Sequence, residues 1–405
     1  LKWEQINQTD LGIDLAFLKN RLTITYDYYN RLTKDMLYRG SLPMSGGMSY
    51  YFSSDDPANT LPIYLNAGIV QNQGHEITIG WSDKIQNFKY TVSANTSFNS
   101  NLVKQVGIKP GANPIDRGLD NQWNLVSRTQ DGSPMGMYYG YQVIGIFQNQ
   151  AQVDAYNQKA LDAWKDANPN HPFGFDPNTG QPYTDATQKN VIGIYYQKEQ
   201  TGVGDLIFDD NGQGRVTPLS RKFIGNPWPK MNFGFNISLE YKDFDLSAVF
   251  QGAFGFDIMN LVKPYTQMFS SDNTTADIFK TSCFGLGNTT VTDFPRVGFI
   301  DANGSFIADG AANKNYSTVS SYMVEKGDYL KFKNLSIGYS LPKTIINKIS
   351  IEKLRFFLTA QNLFTLTKYS GIDPEIGGDV LMRGVDNQNR YLPSRLISFG
   401  LDLTL

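Results

Sequence analysis

The sequence predicts an all-β protein, a transmembrane antiparallel β-barrel wall carrying long extracellular loops. Three observations predict it: apolar and polar residues alternate along paired runs, short and long connections alternate between those runs, and the composition is poor in charge but rich in aromatic rings. Of 405 residues, 18% are charged and 13% are Phe, Trp or Tyr. Soluble globular domains carry about 25% charged residues, so a membrane-facing surface accounts for the balance better.

The runs come in hairpin-like pairs with a side-chain period of two. Leu11, Ile13, Leu15 and Phe17 alternate with Gly12, Asp14 and Ala16. A turn at 18–21 leads to Leu22, Ile24, Tyr26 and Tyr28. The second pair runs through Ile77, Ile79 and Trp81, turns at 82–87 and continues with Phe88, Tyr90 and Val92. Phe233, Phe235, Ile237, Leu239 and Tyr241 precede a turn at 242–243 and the run Phe244, Leu246, Ala248 and Phe250. The fourth pair holds Leu335, Ile337, Tyr339 and Leu341, then, across 342–353, Leu354, Phe356, Leu358 and Ala360. Ile397, Phe399, Leu401, Leu403 and Leu405 form the last run.

Long connections cover 39–62, 100–230, 253–328 and 370–394. Short turns at one end and long loops at the other are the habit of outer-membrane barrels, and neither a β-sandwich nor a propeller needs that rhythm. The runs amount to about nine strands. Single-chain bacterial barrels have an even number of strands, and an open sheet in lipid leaves unpaired backbone groups that cost several kcal/mol each. Further strands are therefore expected from an upstream segment. The stretch 100–230 is too long for an idle loop and is expected to be a folded extracellular excursion within the 1–405 barrel portion, with helical character from Ala151 to Ala167.

Several function classes lose support. The net charge of −2 gives no electrostatic reason to expect nucleic acid. Cys283 is the single cysteine, and His75 and His171 are the two histidines, which leaves little material for metal or nucleophilic catalysis. No run of about 18 apolar residues marks a transmembrane helix, and a barrel needs none.

A set of motifs carries a family resemblance. Leu1-Lys2-Trp3-Glu4 precedes Leu11-Gly12-Ile13-Asp14, and Asn66 to Gly74 followed by Glu76 reads N-x-G-x-V-x-N-x-G-x-E. Ile224-Gly225-Asn226-Pro227-Trp228-Pro229 stands before a run, and Gln251-Gly252 ends the next one. Tyr329-Leu330-Lys331-Phe332-Lys333-Asn334-Leu335 and Gln361-Asn362-Leu363-Phe364-Thr365, with Tyr369-Ser370-Gly371 and Asp373-Pro374-Glu375, follow in order. Together they resemble the C-terminal barrel region of SusC/RagA-type TonB-dependent outer-membrane transporters. The resemblance implies a barrel of about 22 strands with a plugged lumen, of which about thirteen strands and the plug would lie in a segment preceding this one. It implies a multi-pass protein of the cell outer membrane, in contact with its lipid. Implied partners are that N-terminal barrel and plug segment, a SusD-like surface lipoprotein, TonB acting through the plug, and an oligosaccharide or oligopeptide ligand.

Within that frame the loop aromatics Tyr50, Tyr51, Trp123, Tyr138, Tyr139 and Trp164 are candidates for substrate binding, because flat rings cover the apolar faces of sugars and peptides. Their bland alternative is packing within the loops. Asp209-Asp210-Asn211-Gly212-Gln213-Gly214 resembles a degenerate calcium loop, with Asp209 and Asn211 as ligands. Gln213 and Ser220 stand where a fuller loop has acids, so a polar turn is the competing reading and no cofactor is otherwise expected. Asp373 and Glu375 read as structural, with no acid partner for catalysis. A passive porin and a soluble carbohydrate-binding β-protein are the competing functions, and enzymatic chemistry has no residues to carry it.

Overall fold

The computed structural model describes residues 1–40, 63–107, 110–119, 123–169, 194–267, 290–300, 303, 305–308, 314–346, 351–387 and 391–404. Among these, one nine-stranded sheet organises the chain. Its strands are β1 (Gln5–Phe17), β2 (Leu22–Lys34), β3 (Ile69–Ile85), β4 (Phe88–Gln105), β5 (Met231–Tyr241), β6 (Phe244–Phe254), β7 (Tyr329–Ser340), β8 (Lys353–Thr367) and β9 (Leu396–Thr404). They pair in chain order and every pair is antiparallel. The sheet is open, with β1 and β9 at its edges.

Register turns nine local alternations into two continuous faces. Ile13 pairs with Tyr26, Tyr26 with Ile77, and Ile77 with Thr96, which meets Phe233. Further along, Leu246 pairs with Ile337, Ile337 with Leu358, and Leu358 with Phe399. The opposite face carries Asp14, Thr25, Thr78 and Asn95 in one cross-strand row. Many residues of the apolar face are solvent-exposed, among them Leu11, Phe17, Ile79, Phe399 and Leu401. In water such a patch would be a liability; against hydrocarbon it is the required surface.

Aromatic rings mark both borders of this face. Near the short turns, Phe88 stacks beside Tyr90 (centroids 5.6 Å apart) and Phe244 meets Tyr339 at a tilt (4.5 Å). Near the long connections, Phe233 stacks on Phe254 (5.3 Å) and Phe250 on Phe332 (4.3 Å). Phe244 and Phe254 begin and end the eleven-residue β6, about 33 Å along a strand and about 25 Å along the axis at a tilt of about 40°, the height of a barrel's apolar band. Trp81, on the same face, donates from Nε1 to the Tyr90 hydroxyl (3.2 Å).

The short turns are tighter than the sequence suggested. β3 and β4 run on to Ile85 and from Phe88, leaving a two-residue turn. The 341–352 connection instead carries a helical turn at Lys343–Ile346. The signature glycine Gly74 is required by close approach: a Cβ there would lie 2.6 Å from the Phe98 carbonyl oxygen and 2.8 Å from a Tyr29 ring carbon.

The long connections fold against one another. The 106–230 stretch forms a four-stranded sheet ordered Lys222–Gly225, Met137–Gly140, Trp123–Thr129, Ile115–Leu119, and a two-stranded antiparallel sheet of Val143–Ile146 with Leu206–Phe208. Its helix, α1 (Gln150–Ala167), starts where the Asn149 side chain accepts from the Gln152 amide (2.9 Å) and buries Val153, Ala160 and Leu161. Residues of three connections share a core: Val126 and Tyr138 from the first, Met259, Leu261 and Met323 from the second, Val385 from the third. The buried Arg296–Asp205 pair, reinforced by Asn315 Nδ2 donating to Asp205 (2.8 Å), ties the first two connections together.

The two-faced sheet makes opposite demands on adjacent residues. In the intact protein, Ile237→Arg on the apolar face should lower stability by about 2–4 kcal/mol, whereas Ser238→Arg, one position on and exposed on the polar face, should stay within about 0.5 kcal/mol. Urea unfolding in lipid vesicles reads both; equal losses would remove the lipid-facing assignment.

Candidate functional site

The polar face of the sheet is the one surface on which every strand presents hydrogen-bonding side chains, and its residues converge near the long connections. Gln8, Arg31, Asn72 and Asn101 form a single cross-strand row on β1 to β4. Asn101 Nδ2 donates to Asn72 Oδ1 (2.6 Å), while Asn101 Oδ1 accepts from the Met135 amide (2.8 Å). Alongside, the Tyr29 hydroxyl donates to Asn99 Oδ1 (2.7 Å). Trp228, from the Gly225-Asn226-Pro227 turn before β5, donates from Nε1 to the Met135 carbonyl (2.7 Å), and the Arg383 guanidinium lies 5.2 Å from its ring centroid. Together these residues, with Ser100, Pro229 and Asn232, line a cavity of about 450 Å³. The row and the Trp228–Arg383 stack offer amides, a flat ring and two guanidinium forks, a surface suited to polar oligomers.

Beside this groove the 370–387 segment is latched to the wall. Lys331, 1% exposed, donates from Nζ to Asp373 (2.8 Å) and to Glu375 (2.7 Å). Gln251 Nε2 donates to the other Glu375 oxygen (2.8 Å), and Asp373 accepts from the Glu375 amide (2.8 Å). Burial acts to raise the Glu375 carboxyl, but hydrogen bonds and charge from Lys331 outweigh it and hold it below its ordinary value. Alternation counted back from Leu335, Ile337 and Tyr339 puts Lys331 on the lipid side. A bulge at Lys333, skipped in pairing with both β6 and β8, reverses the parity and turns Lys331 to the polar side.

The structure sorts the loop aromatics. Tyr138 is fully buried, and its hydroxyl donates toward the carbonyls of Gly384 (2.8 Å), Arg383 (3.0 Å) and Asp257 (3.2 Å). A ring with no exposed face is a packing and hydrogen-bonding pivot between loops, so the substrate expectation for Tyr138 is corrected. Tyr139 is half-buried, with the Arg128 guanidinium 3.9 Å above its ring and Phe223 at its edge (5.7 Å). Trp164 packs on the α1 core, with Arg215 5.7 Å from its ring. Trp123 opens a loop strand, and nothing is described of its side chain; Tyr50 and Tyr51 lie outside the described residues. The three described rings, Tyr138, Tyr139 and Trp164, therefore do not assemble into one platform.

The Asp209–Gly214 loop is a turn whose carboxylates face ammonium groups. Asp209 takes Lys222 Nζ (2.5 Å) and its own loop's Asn211 amide (3.0 Å), which hold its carboxyl below the ordinary value. Asp210 meets Lys159 Nζ (2.6 Å). Asn211 is exposed with φ 53°. A divalent ion bound by Asp209 and Asn211 would have to displace an ammonium, and no group of three acidic, His or Cys side chains able to hold a metal occurs among the described residues.

Comparison with known proteins places this architecture. No protein-family model matches the chain. TonB-dependent receptor P3 of Formosa agariphila is 30% identical over 381 residues, 93% of this chain and 31% of the relative. TonB-dependent receptor SusC of Bacteroides thetaiotaomicron is 22% identical over 410 residues, the whole of this chain and 32% of the relative. Over nearly its whole length the chain is similar to one part of TonB-dependent receptors of the SusC type. It spans about a third of the length of these curated relatives. The RagAB peptide importer in its closed-closed state shares the fold, with a TM-score of 0.66 and 20% identity over 100% of this chain and 36% of that one. A second RagAB structure, of the peptide transporter, gives 0.67 at 19% identity. These relatives are named receptors and transporters, and the overall fold is what the chain shares with the RagAB structures.

The latch gives a mutational and a pH test. Lys331→Met leaves Asp373 and Glu375 facing each other without a cation and should cost about 2–3 kcal/mol, less than a fully buried pair because Glu375 is partly exposed. The loss should appear as faster proteolysis within 370–387 of the intact protein. With Glu375 depressed in the fold, its contribution is fully present above its ordinary value of 4.5 and is lost as pH falls through the lower folded value; proteolysis at neutral pH that matched the variant would show the latch idle.

Proposed function

We propose that this chain is part of an outer-membrane nutrient importer, supplying barrel wall, outer loops and part of the lumen lining. The observation that carries it is the register-wide separation of one apolar face from one polar face across all nine strands. The free edges of β1 and β9 would cost several kcal/mol per unpaired backbone group in lipid, so the ladder continues into further strands of the same receptor. A closed barrel of about 22 strands with a plugged lumen completes it. The plug and the remaining wall belong to that N-terminal segment, TonB acts on the plug, and a SusD-like lipoprotein covers the loop end. Similarity to SusC and to RagAB supports this assembly.

The cargo is an oligosaccharide or oligopeptide, consistent with the amide row and the Trp228–Arg383 stack. The chain performs no bond chemistry in this reading. The passive porin is the weaker alternative, because three long connections share a core and fold over the loop end of the sheet.

Cells carrying the intact receptor should accumulate its cargo in a TonB-dependent manner. Deleting the receptor gene or the TonB gene should each abolish uptake, and purification in detergent should bring a surface lipoprotein with the receptor. Uptake that persists without TonB, driven by gradient alone, would favour the porin.

A further inference from the structure

A second cavity lies between the 106–230 and 255–328 connections, away from the sheet's groove. It encloses about 370 Å³ and is walled by the 197–221 region on one side and 314–319 on the other. The two sides are held by backbone pairing: the Tyr141 amide donates to the Val319 carbonyl (3.0 Å) and the Ser321 amide to the Tyr141 carbonyl (2.9 Å). The Ser321 hydroxyl also accepts from the Val143 amide (2.9 Å). The cavity is therefore a preformed gap between two pinned loops.

Its lining is divided. Leu125, Phe208, Val216, Pro218 and Val319 give it an apolar part, and Phe208 packs against Tyr141 at 5.4 Å. Lys198, Arg221 and Lys314 give it three cations, and among the described residues no carboxylate belongs to the lining. The Arg221 guanidinium lies 5.3 Å from the Tyr141 ring centroid, and neither Arg221 nor Lys314 forms an ion pair among the described residues. The neighbouring carboxylates Asp209 and Asp210 are already engaged by Lys222 and Lys159. Ser317, on the same wall, has a buried hydroxyl with no hydrogen-bond partner among the described residues.

Arg221 and Lys314, like charges without an ion pair among the described residues, repel, and stacking on Tyr141 orders the guanidinium fork for a planar anion. The apolar half next to it rejects a bare hydrated ion and accepts an aliphatic or aromatic group. We propose that this cavity captures the C-terminal end of a short peptide, its carboxylate at Arg221 and Lys314 and its apolar last side chain against Phe208, Val216 and Val319. Terminal-carboxylate capture uses this kind of chemistry, and a volume of about 370 Å³ suits one or two residues. The assignment rests on the import reading and specifies one class of cargo and where its end is held.

The test measures binding, not uptake, on the intact receptor purified in detergent. A fluorescein-labelled pentapeptide ending in Leu should bind at least about tenfold more tightly than the same peptide amidated at its C-terminus, one charged hydrogen-bonding contact's worth. Arg221→Gln should erase that difference, and Lys314→Gln should reduce it, with the folded state of each checked by trypsin resistance. Equal affinity for acid and amide, or a difference that survives in both variants, overturns the proposal. Preferential, Arg221-dependent binding of a trigalacturonate over the peptide would also overturn it, transferring the subsite to an acidic glycan. Failure of TonB-dependent uptake with the acid-over-amide preference intact would sink the import reading alone.

Discussion

Backbone hydrogen bonding across an unbroken antiparallel ladder is the constraint on which the rest of this molecule depends. In hydrocarbon no water is present to satisfy an N–H or a C=O, so each strand must lie against its neighbour along its length. The pairing then fixes which side chains share a face. A slip of one residue at any interface would send that strand's apolar set to the polar side. The alignment of Ile13, Tyr26 and Ile77 at one end of the sheet, and of Ile337, Leu358 and Phe399 at the other, keeps the apolar sets on one face.

That constraint also explains where irregularity is tolerated. The bulge at Lys333 lies toward the long-connection end of β7, beyond Leu335, Ile337 and Tyr339. There it exchanges regular pairing for a lysine aimed at the 370–387 segment. A buried ammonium with two carboxylates is costly to desolvate and costly to break, so it fixes geometry more than it adds stability. The polar row and the Trp228–Arg383 stack occupy the same end, where the sheet's inner face meets the folded loops.

The loops behave as a small domain assembled from three separated pieces of chain. Tyr138 shows how: one buried ring in the first connection hydrogen-bonds to carbonyls from both others. The buried Arg296–Asp205 pair repeats the device between the first and second. Cavities between such pieces, including the cationic one beside Tyr141, are products of this assembly and belong to no single segment.

Much of the wall was legible in the amino-acid order, because period-2 alternation is a local property that survives without knowledge of partners. The pairs around 11–28, 77–92, 233–250 and 335–360 follow from it, as does the alternation of short and long connections. The motif from Asp373 to Glu375 was recognisable, but its partner Lys331 was not, since strict alternation places that lysine on the opposite face. Tyr138 looked like an available ring because burial within loops depends on distant segments. The Asp209 loop looked metal-like because Lys159 and Lys222 cannot be seen beside it in a linear reading. Local pattern determined the strands and their faces, since each is dictated by a residue and its near neighbours. Tertiary structure alone decided the bulge-reversed Lys331, the cross-strand polar row and the cavities between loops, because each depends on contacts between residues tens to hundreds of positions apart.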